Sequence, residues 1–293
     1  MGAGGAATSS ELCAQSTISG TERYAFGANV GWIDARPSTT DGARVSENVC
    51  SGYLYSANVG WIHLGGGTPP NGIHYTNTSS SDYGVNLTTF GAGSLPAGAL
   101  SGYAYGANIG WIVFNAVGSP RVDLSTGRLS GHAYAANVGW INLGEFSLSV
   151  ASNTIAPAPD TDGDGMPDAW ERAYFPNLTV AGALTDNDGD GVSDAGEYAA
   201  DTHPADAADS LRITAFSLNR APSPDLASIT FTSKPTRRYA IEFTTQLANP
   251  TAWTNSAFGL FAPDVGATTT RDVTTNDTPA VFLRVKAQRP LAP

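Results

Sequence analysis

Long apolar runs and basic clusters are missing from this 293-residue chain, and their absence excludes two classes of partner. No run approaches the roughly 18 apolar residues of a membrane-spanning helix. The formal net charge is −11, and acids and bases almost cancel outside residues 160–209. Nothing basic therefore remains to follow a nucleic-acid backbone. We expect no transmembrane segment and no nucleic-acid partner.

The usual signatures of enzyme chemistry are also missing. The chain has no Gly-x-Ser-x-Gly motif and no phosphate-binding glycine loop. Carboxylates outside residues 160–209 are scattered singly, whereas a glycosidase needs two that converge on one bond. The four histidines show no metal-ligand spacing; they are His63, His74, His132 and His203. We predict a protein without catalytic residues.

Residues 160–209 hold 13 acidic residues and one basic residue, and ten of the acids form two loops of identical spacing. Each loop has carboxylates at positions 1, 3, 5, 9 and 12, glycine at position 6 and a backbone carbonyl ligand at position 7. This spacing surrounds Ca²⁺ with hard oxygen ligands. The predicted ligands are Asp160, Asp162, Asp164, Met166, Asp168 and Glu171 in the first loop, and Asp186, Asp188, Asp190, Val192, Asp194 and Glu197 in the second. We expect at least two calcium ions.

The same residues allow three alternatives to calcium. An acidic disordered linker has a similar composition, but two full matches in register argue against it. Mg²⁺ demands a tighter octahedron and keeps its waters. Zn²⁺ prefers Cys and His ligands, and neither loop contains one.

The flanks of the loops differ from those of an EF-hand. Pro157 and Pro159 oppose a helix that enters the first loop, whereas helices are predicted at both exits, over 168–175 and 193–200. This arrangement resembles the thrombospondin type 3 and dockerin-like calcium repeats of extracellular proteins. The tail over 201–209 resembles the ending that follows such repeats in secreted bacterial proteins, with His203 in place of the usual Asp. The resemblance implies a secreted or cell-surface location.

Cysteine is almost absent, since Cys13 and Cys50 are the only two. An even pair in an extracellular chain predicts a disulfide, which would contribute about 3–4 kcal/mol by loop closure. Two unpaired thiols and an intermolecular bond are the alternatives. Residues 1–8 lack the charged and apolar regions of a signal peptide, so we expect that the export signal is not in this chain.

Before the loops, a motif that ends in Asn-x-Gly-Trp-Ile occurs four times. Its tryptophans, at 32, 61, 111 and 140, are spaced 29, 50 and 29 apart, which indicates duplication of a 79-residue module with two units. Aromatic residues at period two on both sides of a turn predict a β-hairpin for each unit. Asn58 suits a left-handed turn position, and Gly60 permits a bend. Such hairpins need neighbours for stability and leave open edges unless these are covered.

These units are similar to the Gly-Tyr-Ala-Trp/Tyr…Asn-x-Gly-Trp-Ile repeats of predicted surface proteins from environmental bacteria, over residues 21–146. The resemblance implies a location and no chemistry. The repeated Tyr and Trp residues have two interpretations. They form either a packed core that sets strand register or a platform on which sugar rings stack. We favour the core.

Short alternating segments return after Leu211, at 229–231, 239–243 and 281–285, and predict a small antiparallel sandwich. The chain is therefore expected to be mainly β. Its predicted parts are an N-terminal arm that is a candidate donor strand (1–20), a tandem β-hairpin repeat domain (21–150), a linker (151–159), a calcium-binding module with short helices (160–210) and a β-sandwich (211–293).

Together these features predict an extracellular, calcium-stabilised structural protein, a subunit of a surface filament or of an adhesive assembly. The arm is free of proline and carries Glu11 as its one charge. If it inserted into the open edge of a neighbouring subunit, the contact would not close and a homopolymer would grow. The alternative is a carbohydrate-binding module that binds surface glycans through the repeated Tyr and Trp residues.

Overall fold

The computed structural model describes residues 15–89, 95–144, 149–220, 225–249, 251–274 and 281–292. In these residues the chain is mainly β, with antiparallel sheets and two short helices. The first thirteen strands are β1 (Ile18–Gly27), β2 (Gly31–Asp34), β3 (Ala43–Val45), β4 (Cys50–Ser56), β5 (Gly60–His63), β6 (Val85–Leu87), β7 (Leu100–Gly106), β8 (Gly110–Phe114), β9 (Arg121–Val122), β10 (Leu129–Ser130), β11 (His132–Ala135), β12 (Gly139–Asn142) and β13 (Ser149–Ser152).

The second half contains α1 (Asp168–Tyr174), α2 (Asp194–Ala200), β14 (Ile213–Asn219), β15 (Leu226–Thr232), β16 (Arg238–Thr244), β17 (Thr254–Asn255), β18 (Thr268–Thr274) and β19 (Phe282–Gln288). None of the helices in the described residues has the length and apolar character that a membrane crossing requires. Residues 1–14 of the predicted arm, including Cys13, lie outside the described residues.

Eight of the strands close into an antiparallel barrel. Their order is β1-β2-β4-β5-β7-β8-β11-β12, and β12 pairs back with β1. Each copy of the repeated motif spans one hairpin, and in every hairpin the tryptophan lies directly opposite an aromatic residue of the partner strand. The four pairs are Phe26↔Trp32, Tyr55↔Trp61, Tyr105↔Trp111 and Tyr134↔Trp140.

Closure of the barrel makes the expectation of open hairpin edges wrong for this part of the chain. Phe26 pairs with Asn142 and Gly27 with Ile141, so every barrel strand has a neighbour on both sides. A closed barrel removes edges altogether. Ile18 pairs with Ser152 on β13, so residues 18–20 of the expected arm already belong to their own sheet.

The barrel interior is filled by small and β-branched residues, and the aromatic residues lie outside. Trp32 is 56 % exposed and Trp111, the least exposed of the four repeated tryptophans, is 42 % exposed. The predicted aromatic core is therefore wrong. The reason is geometric, because the interior of an eight-stranded barrel is just wide enough to be filled by small side chains. The buried residues that fill it include Ala25, Ile33, Ile62, Ala104, Ile112, Ala133 and Ile141.

Four asparagines connect the hairpin turns into a ring at one end of the barrel. Each side-chain Nδ2 donates to a backbone carbonyl in the turn of a neighbouring hairpin. The four bonds are Asn58 to Val30 at 3.0 Å, Asn108 to Val59 at 3.1 Å, Asn137 to Ile109 at 3.0 Å and Asn29 to Val138 at 3.0 Å. The bond from the first unit reaches the fourth, so the ring closes.

This ring corrects the role expected for Asn58. The left-handed turn position is taken by Gly60, at φ 79°, and Asn58 is not among the described residues with positive φ. A glycine adopts that conformation without steric cost. The asparagine side chain is therefore free to bridge neighbouring turns.

Within residues 151–159, which the sequence predicts to be a linker, several positions pack against the barrel. Ile155 is buried in the barrel core, and its backbone N–H donates to the carbonyl of Leu291 at 2.8 Å. Ala156 forms a parallel bridge with Ser46. The apolar residues next to the prolines account for this packing, because their burial on the adjacent core is favourable; they are Ile155, Ala156 and Ala158.

After the calcium loops, two three-stranded antiparallel sheets form, in the orders β14-β15-β18 and β17-β16-β19. Both sheets contribute to one hydrophobic cluster, in which the Phe231 and Tyr239 rings lie 5.2 Å apart. Ala200 at the end of α2 joins the same cluster. Among the described residues β14 has a partner on one side only, and it is exposed along its whole length.

Candidate calcium sites

The first residue of each loop organises the backbone around it. Both oxygens of Asp160 accept hydrogen bonds, from the N–H of Gly163 at 2.8 Å and of Gly165 at 3.0 Å. Asp186 repeats this pattern at the same distances with the glycines at 189 and 191. Gly165 has φ 96° and its counterpart in the second loop 92°, values that a residue with Cβ rarely adopts. The two loops therefore share one backbone design.

The carboxylates at position 9 hold the loops closed. Asp168 accepts from the backbone N–H of Thr161 and from its hydroxyl, both at 2.7 Å. Asp194 accepts from the backbone N–H of Asn187 at 3.2 Å and from its side chain at 2.6 Å. Each of these acids is also the first residue of a helix, where negative charge is favourable. The helices begin within a residue of the predicted starts.

Positions 1, 3 and 5 of each loop bring their carboxylates together. Oxygen atoms of the three acids lie within 4.8 Å of one another in each group, so that either group could hold a metal ion. The two groups are Asp160, Asp162 and Asp164, and Asp186, Asp188 and Asp190.

Several buried carboxylate oxygens in the two loops have no hydrogen-bond partner. Glu171 and Glu197, at position 12, are fully buried. Leaving a buried charged oxygen unpaired is costly unless a cation compensates it. The atoms concerned are Asp164 Oδ2, Glu171 Oε1 and Oε2, Asp188 Oδ2, Asp190 Oδ2 and Glu197 Oε2. This donor set consists of hard oxygens only, and it fits a divalent cation such as Ca²⁺.

The electrostatics of the loops lead to the same conclusion. Burial, followed by the charges of neighbouring carboxylates such as Asp162, raises the pKa of Glu171 to about 8. Burial and the charge of Asp188 raise the pKa of Glu197 to about 8 as well. The pKa of Asp164 is also raised, by burial first. A bound cation reverses these shifts, because opposite charge favours the ionised carboxylate.

The remaining predicted site residues have more limited support. The Met166 side chain is buried in a cluster with Trp170, and the Val192 side chain is half-buried. Their carbonyl ligand roles stay predictions. Cys50 is buried, and burial raises the pKa of its thiol to about 12. Its predicted partner Cys13 lies outside the described residues, so the disulfide also stays a prediction.

Trp170 joins the two loops into one unit. It is fully buried, and its ring lies 5.5 Å from that of Tyr198 on α2. Phe175 packs at 6.1 Å on another side of the indole. The contact of Trp170 with Tyr198 therefore packs the helix of the first loop against that of the second.

Helix α2 also connects the second loop to the barrel and to the C-terminal sheets. The Tyr198 hydroxyl donates to the carboxylate of Glu47 in the barrel at 2.9 Å, and Arg289 pairs with the same carboxylate. Arg237, which is 2 % exposed in its side chain, donates to the carbonyl of Tyr198 at 2.8 Å and to that of Thr89 at 2.7 Å. Sequence reasoning missed this junction, because its members are distant in the chain and follow no motif.

The exposed aromatic residues form a second candidate surface, which we call the aromatic belt. It consists of Tyr24, Trp32, Tyr53, Tyr55, Trp61, Tyr105, Trp111, Tyr134 and Trp140. Ring centroids within one hairpin lie close together, as at 4.9 Å for Tyr55 and Trp61. No family model matches the chain, and neither the curated proteins nor the solved structures compared with it give a match.

Proposed function

We propose that the protein is an extracellular, calcium-stabilised structural protein, secreted or held at the cell surface, whose aromatic belt is an adhesive surface. The observation that carries this proposal is the outward position of all four repeated tryptophans on a closed barrel. An extended exposed apolar surface adds little to folding stability and is typical of an interaction site.

Calcium has a structural role in this proposal. The orphaned oxygens of Glu171 and Glu197 and the paired loops point to two ions, one in each loop. Binding to the folded chain stabilises it by about 2.7 kcal/mol for each site when free calcium exceeds the dissociation constant a hundredfold. Because α2 follows the second loop directly, an ordered loop also fixes the junction at Tyr198 and Glu47.

Surface glycans are the partner class that the aromatic belt favours. Aromatic rings present flat faces on which the C–H groups of a sugar ring stack, and tyrosine hydroxyls add hydrogen bonds. The belt has repeated copies of the same rings, so several weak contacts to one polysaccharide would add up through multivalency.

Self-association is the second candidate, and its location differs from the sequence prediction. The barrel offers no open edge, but β14 does, and it exposes Ile213, Phe216 and Leu218. An open strand edge accepts another strand through backbone hydrogen bonds. We propose this edge as the contact of a homopolymer.

We also propose that the two C-terminal sheets form a β-sandwich and that the barrel arose by duplication of a 79-residue module.

The adhesive role is tested by binding of the full chain to bacterial cell-wall preparations. Replacement of the four belt tryptophans at 32, 61, 111 and 140 by alanine should lower the bound fraction at least about tenfold, because their stacking faces are removed. Trp253→Ala is the matched control, since Trp253 lies beside β17 and outside the belt. Circular dichroism and denaturant unfolding establish that each variant is folded. Equal binding by the folded fourfold variant and the native chain would overturn the proposal.

A further inference from the structure

The third hairpin differs from the other three because an inserted segment covers one side of it. The interval from Trp61 to Trp111 is 50 residues, whereas the other two intervals are 29. Within the additional chain, Tyr83 contacts the barrel. Its ring packs edge-on against Trp111, with the ring centroids 4.9 Å apart and the ring planes at 84°. Trp32, Trp61 and Trp140 have no counterpart of this contact with Tyr83 among the described residues.

Several hydrogen bonds hold the inserted segment in place. The backbone N–H of buried Tyr75 donates to the side-chain oxygen of Asn86, and the Asn86 side-chain nitrogen donates to the Tyr75 carbonyl, both at 2.9 Å. The Tyr75 hydroxyl accepts from the N–H of Gly67 at 2.6 Å. The Asn77 side chain accepts from the N–H of Gly84 at 3.0 Å. The Tyr83 hydroxyl lies 2.7 Å from Nδ1 of His63 on the barrel. The segment therefore presents a preformed surface.

Between this segment and β7 and β8 lies an open groove of about 360 Å³. Its lining combines three aromatic residues with four polar ones, namely Tyr83, Tyr103 and Trp111, and Asn77, Thr78, Ser79 and Ser80. Trp111 is 42 % exposed, and residues 78–80 are exposed. None of the described residues that line the groove is acidic or basic.

This lining selects a class of ligand. A sugar ring has an apolar face of C–H groups that stacks on an indole or phenol, and a rim of hydroxyls that pairs with hydroxyl and amide groups. An anionic ligand would find no cationic partner among the described residues that line the groove. Ligand sites of this kind are concave, largely preformed, and combine aromatic walls with a few polar groups.

We infer that the groove at Trp111 is a binding site for one or two residues of a neutral glycan. The inference deepens the proposed function and rests on it, because it assigns the principal glycan contact of the belt to one hairpin. The remaining belt residues then serve as weaker contacts for the same polymer chain.

The experiment titrates the calcium-loaded full chain with soluble neutral oligosaccharides, namely β-glucan, mannan, galactan and chitin fragments, and follows tryptophan fluorescence and binding heat. Trp111→Ala should lower the affinity for the bound oligosaccharide at least about tenfold, and Trp32→Ala, which removes the equivalent ring of a hairpin without the insertion, less than about threefold. Ser80→Trp fills the groove from an exposed position without altering the barrel, and it should abolish binding as well.

The outcomes separate the groove from the adhesive role. The groove inference fails if none of these neutral oligosaccharides binds, if Trp32→Ala and Trp111→Ala lower affinity equally, or if a proline-rich peptide or an anionic polysaccharide binds there more tightly. Cell-wall binding that is lost in the fourfold belt variant and kept in Ser80→Trp would overturn the groove and leave the proposed function standing. Oligosaccharide binding in the groove without any cell-wall binding would overturn the adhesive role alone.

Discussion

At the scale of single residues, the buried glutamates at the ends of the two loops predict opposite pH responses with and without calcium. Without calcium, the pKa values of Glu171 and Glu197 in the folded chain are about 8, whereas an unfolded chain has values of about 4.3. A raised folded pKa means that the folded state holds more protons between these values. Its contribution to stability is therefore complete below about pH 4.3 and is lost as the pH rises through about 8.

Calcium requires the ionised carboxylates, so its binding at pH 7 should release protons and should weaken as the pH falls toward 5. Calorimetric titration with calcium in buffers of different ionisation enthalpy measures the released protons. We expect the double variant with Glu171→Gln and Glu197→Gln to release almost none, and Glu242→Gln, a glutamate paired with Arg284 far from the loops, to behave as the native chain does. Calcium affinity that is independent of pH between 5 and 8 would contradict the assignment of position 12.

The loop residues were predictable from sequence because a metal loop places its ligands at fixed local spacing. Asp160, Asp162 and Asp164 converge as their spacing indicates. The role of Asn58 was not predictable in this way. Its partner, the Val30 carbonyl, belongs to another hairpin, and only closure of the barrel brings the two together. Turn preferences predict a left-handed backbone conformation for Asn58, but Gly60 adopts that conformation instead.

At the scale of elements, the asparagine ring should stabilise the contacts between neighbouring hairpins. Asn137→Ala removes the 3.0 Å bond to the Ile109 carbonyl, and it should lower the free energy of unfolding by about 1 kcal/mol, the net value of a typical hydrogen bond. Asn137→Asp should cost at least as much, since a carboxylate cannot donate to a carbonyl. Ala136→Ser, at the exposed neighbouring position, should change stability by less than about 0.5 kcal/mol.

Urea unfolding followed by tryptophan fluorescence and by circular dichroism measures these differences. If Asn137→Ala is as stable as Ala136→Ser, the ring does not hold the hairpins together. The two optical signals should also coincide in the native chain, because a barrel that closes through its first and last hairpins is expected to unfold as one unit.

The exposed side of each hairpin could not be assigned from sequence, although its strands could. Period two places Tyr53 and Tyr55 on one face and Leu54 on the other, but the pattern does not say which face is inside. The size of aromatic side chains suggested burial. The small interior of an eight-stranded barrel decides the matter, and the number of strands follows only from the pairing of β1 with β12.

At the scale of the whole molecule, the barrel, the calcium loops and the C-terminal sheets meet at one junction. Three kinds of contact cross it: the carboxylate of Glu47 with Tyr198 and Arg289, the guanidinium of Arg237 with the Thr89 carbonyl, and the packing of Leu291 on the barrel core. The Tyr198–Glu47 bond and the position of Arg237, which also donates to the Tyr198 carbonyl, depend on α2 and so on the second loop. The Arg289–Glu47 pair and the packing of Leu291 do not involve α2. Calcium bound in the second loop would therefore strengthen an interface that also has direct contacts.

Chelation should then have a graded effect on the shape of the molecule. Without calcium, the loop carboxylates repel one another. We therefore expect a lower unfolding temperature and new protease cleavage within 160–209, with a small rise in maximum dimension by small-angle scattering.

Arg237→Ala removes a buried guanidinium and leaves the carbonyls of Thr89 and Tyr198 without this donor. With chelator, the maximum dimension of this variant should therefore rise well beyond that of the native chain. Arg271→Ala, a change at a half-buried position of the C-terminal sheets where the guanidinium pairs with Asp264, is the control and should match the native chain. If chelator changes neither melting nor protease resistance, calcium has no structural role, and if Arg237→Ala keeps the native dimension without calcium, the junction does not set the spacing of the two β regions.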